Sequence, residues 1–193
     1  PPTASEAEPP LGAAAQGAEP EDEDDDEIVG PALPCADSTA SSGGQTLWWQ
    51  REHTATATEA AAHADEVPVG AVIVADDGTG LARTGNAMRR ANDPTAHAEM
   101  LALREACATL GTDRLPDCDL FVTLEPCTMC AGAISFARIR RLYYGAEDPK
   151  GGGVAHGVRF YAQPTCHHAP EVYSGLAETD ASDILRGFFR ARR

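Results

Sequence analysis

The chain has 193 residues, of which 42% are hydrophobic, so it is long enough for one globular domain with a core and an appendage. Its formal net charge is −15, but residues 1–46 carry 11 acidic residues and no Lys or Arg, which leaves 19 acids and 15 bases, a net of −4, for residues 47–193. The acidic total therefore does not exclude a nucleic-acid partner, because local cations decide phosphate contact. We find no run of 18 apolar residues and no secretory or transit leader, and we expect a cytoplasmic protein that does not enter a membrane.

Composition divides the chain into two regions. Residues 1–46 are rich in Pro, Ala, Gly, Ser and acids, with an unbroken acidic run over 21–27. Such a segment buries too little apolar area to offset the entropy cost of ordering, so we predict a disordered acidic tail. The second region, residues 47–193, is the predicted domain. The six cysteines show no disulfide framework, which agrees with a reducing compartment.

Strands and helices alternate along the second region. Residues 47–65 favour a helix, although the alternating threonines at 54, 56 and 58 lower helix propensity. Hydrophobic periodicity and turn residues then predict strands over 69–75 and 81–88, a helix over 97–110, a strand over 119–124, a helix over 128–138, strands over 139–145 and 171–175, and a closing helix over 182–193. This order predicts an α/β fold.

Two short motifs carry the chemistry of the domain. An H-x-E motif at His97 and Glu99 is followed, after residues 100–125, by a P-C-x-x-C motif from Pro126 to Cys130. His97, Cys127 and Cys130 supply three zinc ligands and leave the fourth tetrahedral position for water. Glu99 lies two residues from His97, so we expect it to face the open position instead of the metal and to shuttle protons there. This spacing is the signature of zinc-dependent nucleobase deaminases.

Other interpretations of the same residues are weaker. A lone C-x-x-C is often a redox pair or half of a structural zinc site. A structural site needs four ligands, and a redox pair needs neither His97 nor Glu99. We therefore predict one catalytic Zn²⁺ per chain, with its bound water made nucleophilic near neutral pH.

The motifs extend into a wider family resemblance over residues 66–193. The chain resembles the bacterial tRNA-specific adenosine deaminases of the cytidine/deoxycytidylate deaminase superfamily, which convert wobble adenosine-34 to inosine. The residues that carry this resemblance are Glu66-Val67-Pro68-Val69-Gly70-Ala71, Asp93 to Met100, Thr123 to Ile134 and Phe188 to Arg193. It implies a cytidine-deaminase-like three-layer α/β/α fold with a central mixed five-stranded sheet. It also implies a homodimer that acts on the anticodon stem-loop of an arginine tRNA.

The resemblance also assigns roles to individual residues. It implies zinc ligation by His97, Cys127 and Cys130, and proton transfer by Glu99. Contacts with the substrate RNA are implied for a further set: Asn86, Val67, Pro126, Asp148, Phe188, Arg192 and Arg193. The loop at 151–153 and residues 47–65 depart from the family pattern.

Two alternatives stay open at this stage. A free nucleobase or nucleoside deaminase, acting on guanine or cytosine, would use the same zinc site. A non-catalytic RNA-binding subunit would share the fold, but it would have no need of Glu99.

Overall fold

The structure is a computed structural model that describes residues 43–192. The tail predicted over 1–46 lies outside this range, except for residues 43–46, which begin the first helix. The elements, in chain order, are α1 (Gly43–His63), β1 (Gly70–Ala75), β2 (Gly80–Gly85), α2 (Ala98–Leu110), β3 (Cys118–Leu124), α3 (Thr128–Ala137), β4 (Arg141–Ala146), a 3-10 turn (Phe160–Ala162), β5 (Glu171–Tyr173) and α4 (Glu178–Arg190).

Threonines do not prevent helix formation in α1. The hydroxyl of Thr58 donates to the carbonyl of Thr54 at 2.9 Å, and that of Thr56 donates to the carbonyl of Glu52 at 2.9 Å. These bonds satisfy the hydroxyl groups within the helix itself. The helix predicted over 47–65 is therefore confirmed, with a start at Gly43.

Five strands form one mixed sheet in the order β2-β1-β3-β4-β5. β1 is antiparallel to β2 and β3, whereas β3, β4 and β5 are parallel. α1 crosses one face so closely that a Cβ at Gly70 would lie 2.5 Å from the carbonyl oxygen of Thr54. On the other face, Ala71 and Ile73 of β1 pack with Ala102 and Ala106 of α2. The predicted three-layer α/β/α class with a central mixed sheet is confirmed.

Element boundaries differ from the predicted ones by a few residues. β2 ends at Gly85, three residues before the predicted end, because past Asn86 the backbone leaves β1 and the amide of Ala87 donates to the carbonyl of Ala96 at 3.0 Å. β4 begins at Arg141 instead of residue 139, and α4 begins at Glu178 instead of 182. The 3-10 turn Phe160–Ala162 was not predicted. Within residues 43–192, no helix is both long and apolar enough to cross a membrane.

Candidate zinc and catalytic site

The three predicted metal ligands meet at the N-terminal ends of two helices. His97 is the residue before α2 and Cys127 the residue before α3, both with extended backbone, and Cys130 lies in the first turn of α3. Nδ1 of His97 lies 3.7 Å from Sγ of Cys127 and 3.5 Å from Sγ of Cys130. Helix N-termini favour negative charge, so this junction suits thiolate ligands.

These distances fit a zinc ion. With Zn–S near 2.3 Å and Zn–N near 2.0–2.1 Å, a tetrahedral site places nitrogen and sulfur about 3.6 Å apart. All three ligand atoms lie within 4.8 Å of one another, and they form the only such His, Cys, Asp or Glu group among the described residues. Nδ1 is the His97 atom that faces the two sulfurs. The donor set therefore matches the predicted site, with one position left for a further ligand.

The pKa shifts of the two cysteines favour a bound cation at the cluster. Hydrogen bonds from Cys130 and His97 lower the pKa of Cys127 to about 4, although burial opposes this. The bond between the sulfurs, together with burial, raises the pKa of Cys130. The two sulfurs thus compete for one negative charge, and a divalent cation between them lets both ionise. The Cys127 bond also raises the pKa of His97.

Glu99 is buried beside these ligands. It lies in the first turn of α2, and its residue surface is only 3% exposed. Burial raises the pKa of its carboxyl group, while His97 and a hydrogen bond with Cys130 act in the opposite direction. A raised pKa lets this carboxyl group hold a proton more readily than an exposed glutamate does, which suits a group that takes and returns protons.

Asn86 holds the backbone of the site in place. Its side chain is buried, and Oδ1 accepts the backbone N–H of Ala98 at 2.9 Å, directly after His97. The predicted substrate residue Asn86 therefore lies beside the metal cluster. Val67, predicted in the same role, is partly buried and packs against the hydrophobic core.

A loop over residues 148–156 lies against the zinc-binding turn. The amide of Gly153 donates to the carbonyl of Pro126 at 2.9 Å, and Gly152 forms an antiparallel bridge with Cys127. Asp148, predicted to contact substrate, caps this loop through Oδ1, which accepts the amide of Gly151 at 3.0 Å. Pro126 and Asp148 therefore belong to the same wall of the site.

Glu125 anchors this loop, and sequence reasoning gave it no role. Its Oε1 accepts the backbone amides of Val154, Ala155 and His156 at 2.8–3.1 Å, and its Oε2 accepts the amide of Asp148 at 3.0 Å. Burial alone would raise the pKa of Glu125, but these bonds and one from the His156 ring lower it. Glu125 lies inside the quoted family motif, yet nothing local in the sequence indicates its partners.

Phe188 and Arg192, both predicted to contact RNA, contact each other at the C-terminal end of the described chain. Phe188 packs edge-on against Phe189, and the guanidinium carbon of Arg192 lies 3.5 Å from the centroid of the Phe188 ring. Arg192 is also paired with Asp65 in the loop after α1. Arg193 lies outside the described residues.

A mixed five-stranded sheet that carries His, Cys and Cys at the starts of two helices, with a buried glutamate, defines a zinc-dependent deaminase fold. Residues 47–146 match the family model of the cytidine and deoxycytidylate deaminase zinc-binding region, and the chain belongs to this family. The resemblance predicted from the sequence is confirmed, and so is the zinc cofactor that this family binds.

Within this family, the chain is similar to individual tRNA-specific adenosine deaminases. The chain is 68% identical over 129 residues to the tRNA-specific adenosine deaminase of Agrobacterium fabrum (strain C58 / ATCC 33970), which covers 67% of this chain and 84% of the relative. It is 44% identical over 128 residues to the enzyme of the same name from Bacillus subtilis (strain 168), covering 66% and 79%. A solved structure from a study of A-to-I editing by tRNA:A34 deaminases at the wobble position of transfer RNA is 62% identical, covers 72% of this chain and 99% of that one, and superposes with a TM-score of 0.70.

Proposed function

We propose that this protein is an enzyme that hydrolytically deaminates adenosine to inosine at the wobble position of a tRNA anticodon. The observation that carries the proposal is a buried carboxylate, Glu99, two residues from a histidine that meets two cysteines at zinc-ligand distances. The similarity to tRNA-specific adenosine deaminases supports the choice of substrate.

In this proposal His97, Cys127 and Cys130 hold the metal. Zinc held there would make an oxygen nucleophile available at neutral pH, because it lowers the pKa of bound water from 15.7 to about 7. Glu99 would take the proton that water releases and deliver it to ring nitrogen N1 of adenine as the hydroxide adds to C6. The carboxylate would then take the proton of the new C6 hydroxyl group and pass it to the exocyclic amine, which leaves as ammonia while the C6 carbonyl of inosine forms.

Neighbouring residues have supporting roles. Asn86 holds the amide of Ala98 and thereby fixes the turn on which His97 and Glu99 lie. The Glu125 carboxylate holds the loop that carries Asp148 against Pro126. Both groups keep the mouth of the site in one conformation, which lowers the ordering cost of binding a flipped base.

We also assign a homodimer. The groove between α2 and α3 is lined by Met100, Leu103, Cys107 and Ala133. Phe136 beside it is 74% exposed, an unusual state for a large apolar side chain. A second copy related by a twofold axis would bury both phenylalanines at once. Phe136→Asp should then give a monomer in light scattering, whereas the control Val172→Asp, on exposed β5, should leave the dimer intact.

The function is tested with zinc-loaded full chain and a synthetic anticodon stem-loop of an arginine tRNA with adenosine at the wobble position. Inosine formation, read by nuclease digestion and mass spectrometry, supports the proposal, and a stem-loop from another tRNA tests the choice of arginine tRNA. Deamination of free guanine or cytosine without activity on the RNA would identify a nucleobase deaminase instead. RNA binding with no deamination of any substrate would identify a non-catalytic subunit.

A further inference from the structure

A single exposed carboxylate joins two arginines from distant parts of the chain. Asp65 follows α1, Arg89 follows β2, and Arg192 follows α4. NH1 of Arg89 donates to Oδ2 of Asp65 at 2.8 Å, and NH2 of Arg192 donates to Oδ1. Arg89 NH1 also lies 3.3 Å from the Asp65 carbonyl oxygen. The two oxygens of one carboxylate are thus divided between two guanidinium groups, as the oxygens of a phosphate would be.

Groups other than Asp65 also position the two arginines: Glu66 binds the backbone of Arg89, and Phe188 contacts the guanidinium group of Arg192. The backbone amides of Arg89 and Arg90 donate to Oε1 of Glu66 at 2.9 and 2.8 Å, and the Glu66 side chain is buried. Arg192 stacks on the Phe188 ring. The backbone of Arg89 and the guanidinium group of Arg192 would therefore keep their places if the carboxylate between them lost its charge.

One end of this cluster is joined by a short stretch of chain to the turn that carries the predicted metal ligands. Arg89 is three residues from Asn86, whose side chain holds the first amide of α2 beside His97. Arg90 adds an exposed cation to the same turn. An RNA loop with its wobble base at the proposed zinc site would bring its backbone phosphates towards Arg89 and Arg90.

The Asp65 carboxylate is bound weakly enough to be displaced. The side chains of Asp65 and Arg89 are 64% and 67% exposed, and that of Arg192 is 35% exposed. Exposed ion pairs of this kind contribute about 0.2–1 kcal/mol. An RNA backbone phosphate carries one negative charge and two non-bridging oxygens, so it matches a carboxylate in charge and geometry, and its binding in addition releases counterions.

We propose that Arg89 and Arg192 form a binding site for an RNA backbone phosphate, and that Asp65 occupies this site in the free protein and is displaced by the substrate. This rests on the proposed RNA substrate. Asp65 thereby lowers RNA affinity and favours release of the product, because it competes for the same guanidinium groups.

The test compares two substitutions of equal charge. Asp65→Asn removes the competing charge, and Asn tolerates the left-handed backbone that Asp65 adopts at φ 61°. The control is Asp183→Asn, because Asp183 pairs with Arg186 on α4 with the same exposures, 64% and 67%. Full-chain protein is titrated with the anticodon stem-loop at several salt concentrations.

We expect Asp65→Asn to bind the stem-loop about two- to fivefold more tightly than Asp183→Asn at low salt. Its log K against log salt should steepen by up to about 0.7–0.9 for each arginine released to bind phosphate. Adding Arg192→Ala to Asp65→Asn should abolish the gain. Equal affinities and slopes for the two Asn variants, or weaker binding by Asp65→Asn, would overturn the proposal and make Asp65 a structural link. Inosine formation by the unchanged protein is scored separately, so failure of the proposed function is distinguishable from failure of this site.

Discussion

Nδ1 of His156 lies 2.7 Å from Oε2 of Glu125, the residue two before the predicted zinc ligand Cys127. The same carboxylate accepts four backbone amides from the loop over residues 148–156. The His156 side chain thus hydrogen-bonds Glu125 and joins the loop to the turn that carries Cys127. Glu147, whose Oε2 lies 3.9 Å from Nε2 of His156, flanks the pair.

His156→Ala should weaken substrate binding without changing the chemical step. Glu125 keeps its four amide donors, so the loop should stay folded while losing one bond to a charged group. That loss should raise KM for the stem-loop about three- to tenfold with little change in kcat. The control is His167→Ala, an exposed histidine of the next loop. A fall in kcat at constant KM would contradict this role.

The stability of the pair should depend on pH in a defined direction. The hydrogen bond with Glu125 raises the pKa of His156 above 6.5, despite the opposing effect of burial. A raised pKa in the folded state means that the stabilisation is complete below pH 6.5 and is lost as pH rises through the folded value. The difference in unfolding free energy between the unchanged protein and His156→Ala should therefore shrink above pH 6.5. Denaturant titrations from pH 5.5 to 9 measure it, and a difference that grows with pH would exclude a charged pair.

Glu99→Gln should separate metal binding from turnover. The amide has the size of the carboxylate but cannot shuttle protons, so the rate of inosine formation should fall by at least about 10²-fold. Zinc content, measured by atomic emission, should be unchanged because Glu99 is not among the three clustered ligands. Glu105→Gln, on the exposed side of α2, is the matched control. Loss of zinc from the Glu99 variant would show that it is a ligand or a folding residue.

Cysteine substitutions should distinguish the metal ligands from other buried thiols. Cys130→Ala should abolish both bound zinc, about one per chain in the unchanged protein, and activity. Cys118→Ala should keep both, because Cys118 is equally buried but lies in β3, and burial raises its pKa to about 11, so that it stays a neutral thiol. Full zinc content in the Cys130 variant would refute the ligand assignment.

The sequence was sufficient for those features that depend on short-range spacing. His97 and Glu99 lie two residues apart, as their separate roles require, and Cys127 and Cys130 bracket one helical turn. Strand and helix order follows from hydrophobic periodicity and predicts an α/β fold, whereas the three-layer arrangement around a mixed sheet was implied by the family resemblance. Element ends were less accurate because tertiary hydrogen bonds set them, as at Ala87, whose amide donates to the carbonyl of Ala96.

Long-range charge contacts could not be predicted from the sequence. Asp65 and Arg192 are 127 residues apart, and Arg192 was predicted only to contact RNA, without an internal partner. The Glu125 carboxylate accepts hydrogen bonds from backbone amides 23–31 residues away. Every residue except proline has a backbone amide, so the residue types in the sequence do not show which amides are the donors. Such contacts require the folded loops before either partner is recognisable.

The 148–156 loop packs closely against Glu125 and the start of α3, and this restricts which substitutions the enzyme tolerates. A Cβ at Gly152 would lie 2.4 Å from the Glu125 carboxyl carbon, and one at Gly153 would lie 2.6 Å from the backbone nitrogen of Thr128. At Gly151 the nearest obstacle is the movable carboxylate of Asp148, at 2.8 Å. A mutant library meant to broaden substrate range should therefore vary position 151 freely and hold 152 and 153 as glycine. Any larger residue at 152 would also meet the backbone carbonyl oxygen of Asp148, which lies 2.6 Å from the added Cβ, so replacing Glu125 alone would not make room for it. Position 152 is therefore expected to stay glycine among functional variants, whichever residue stands at 125.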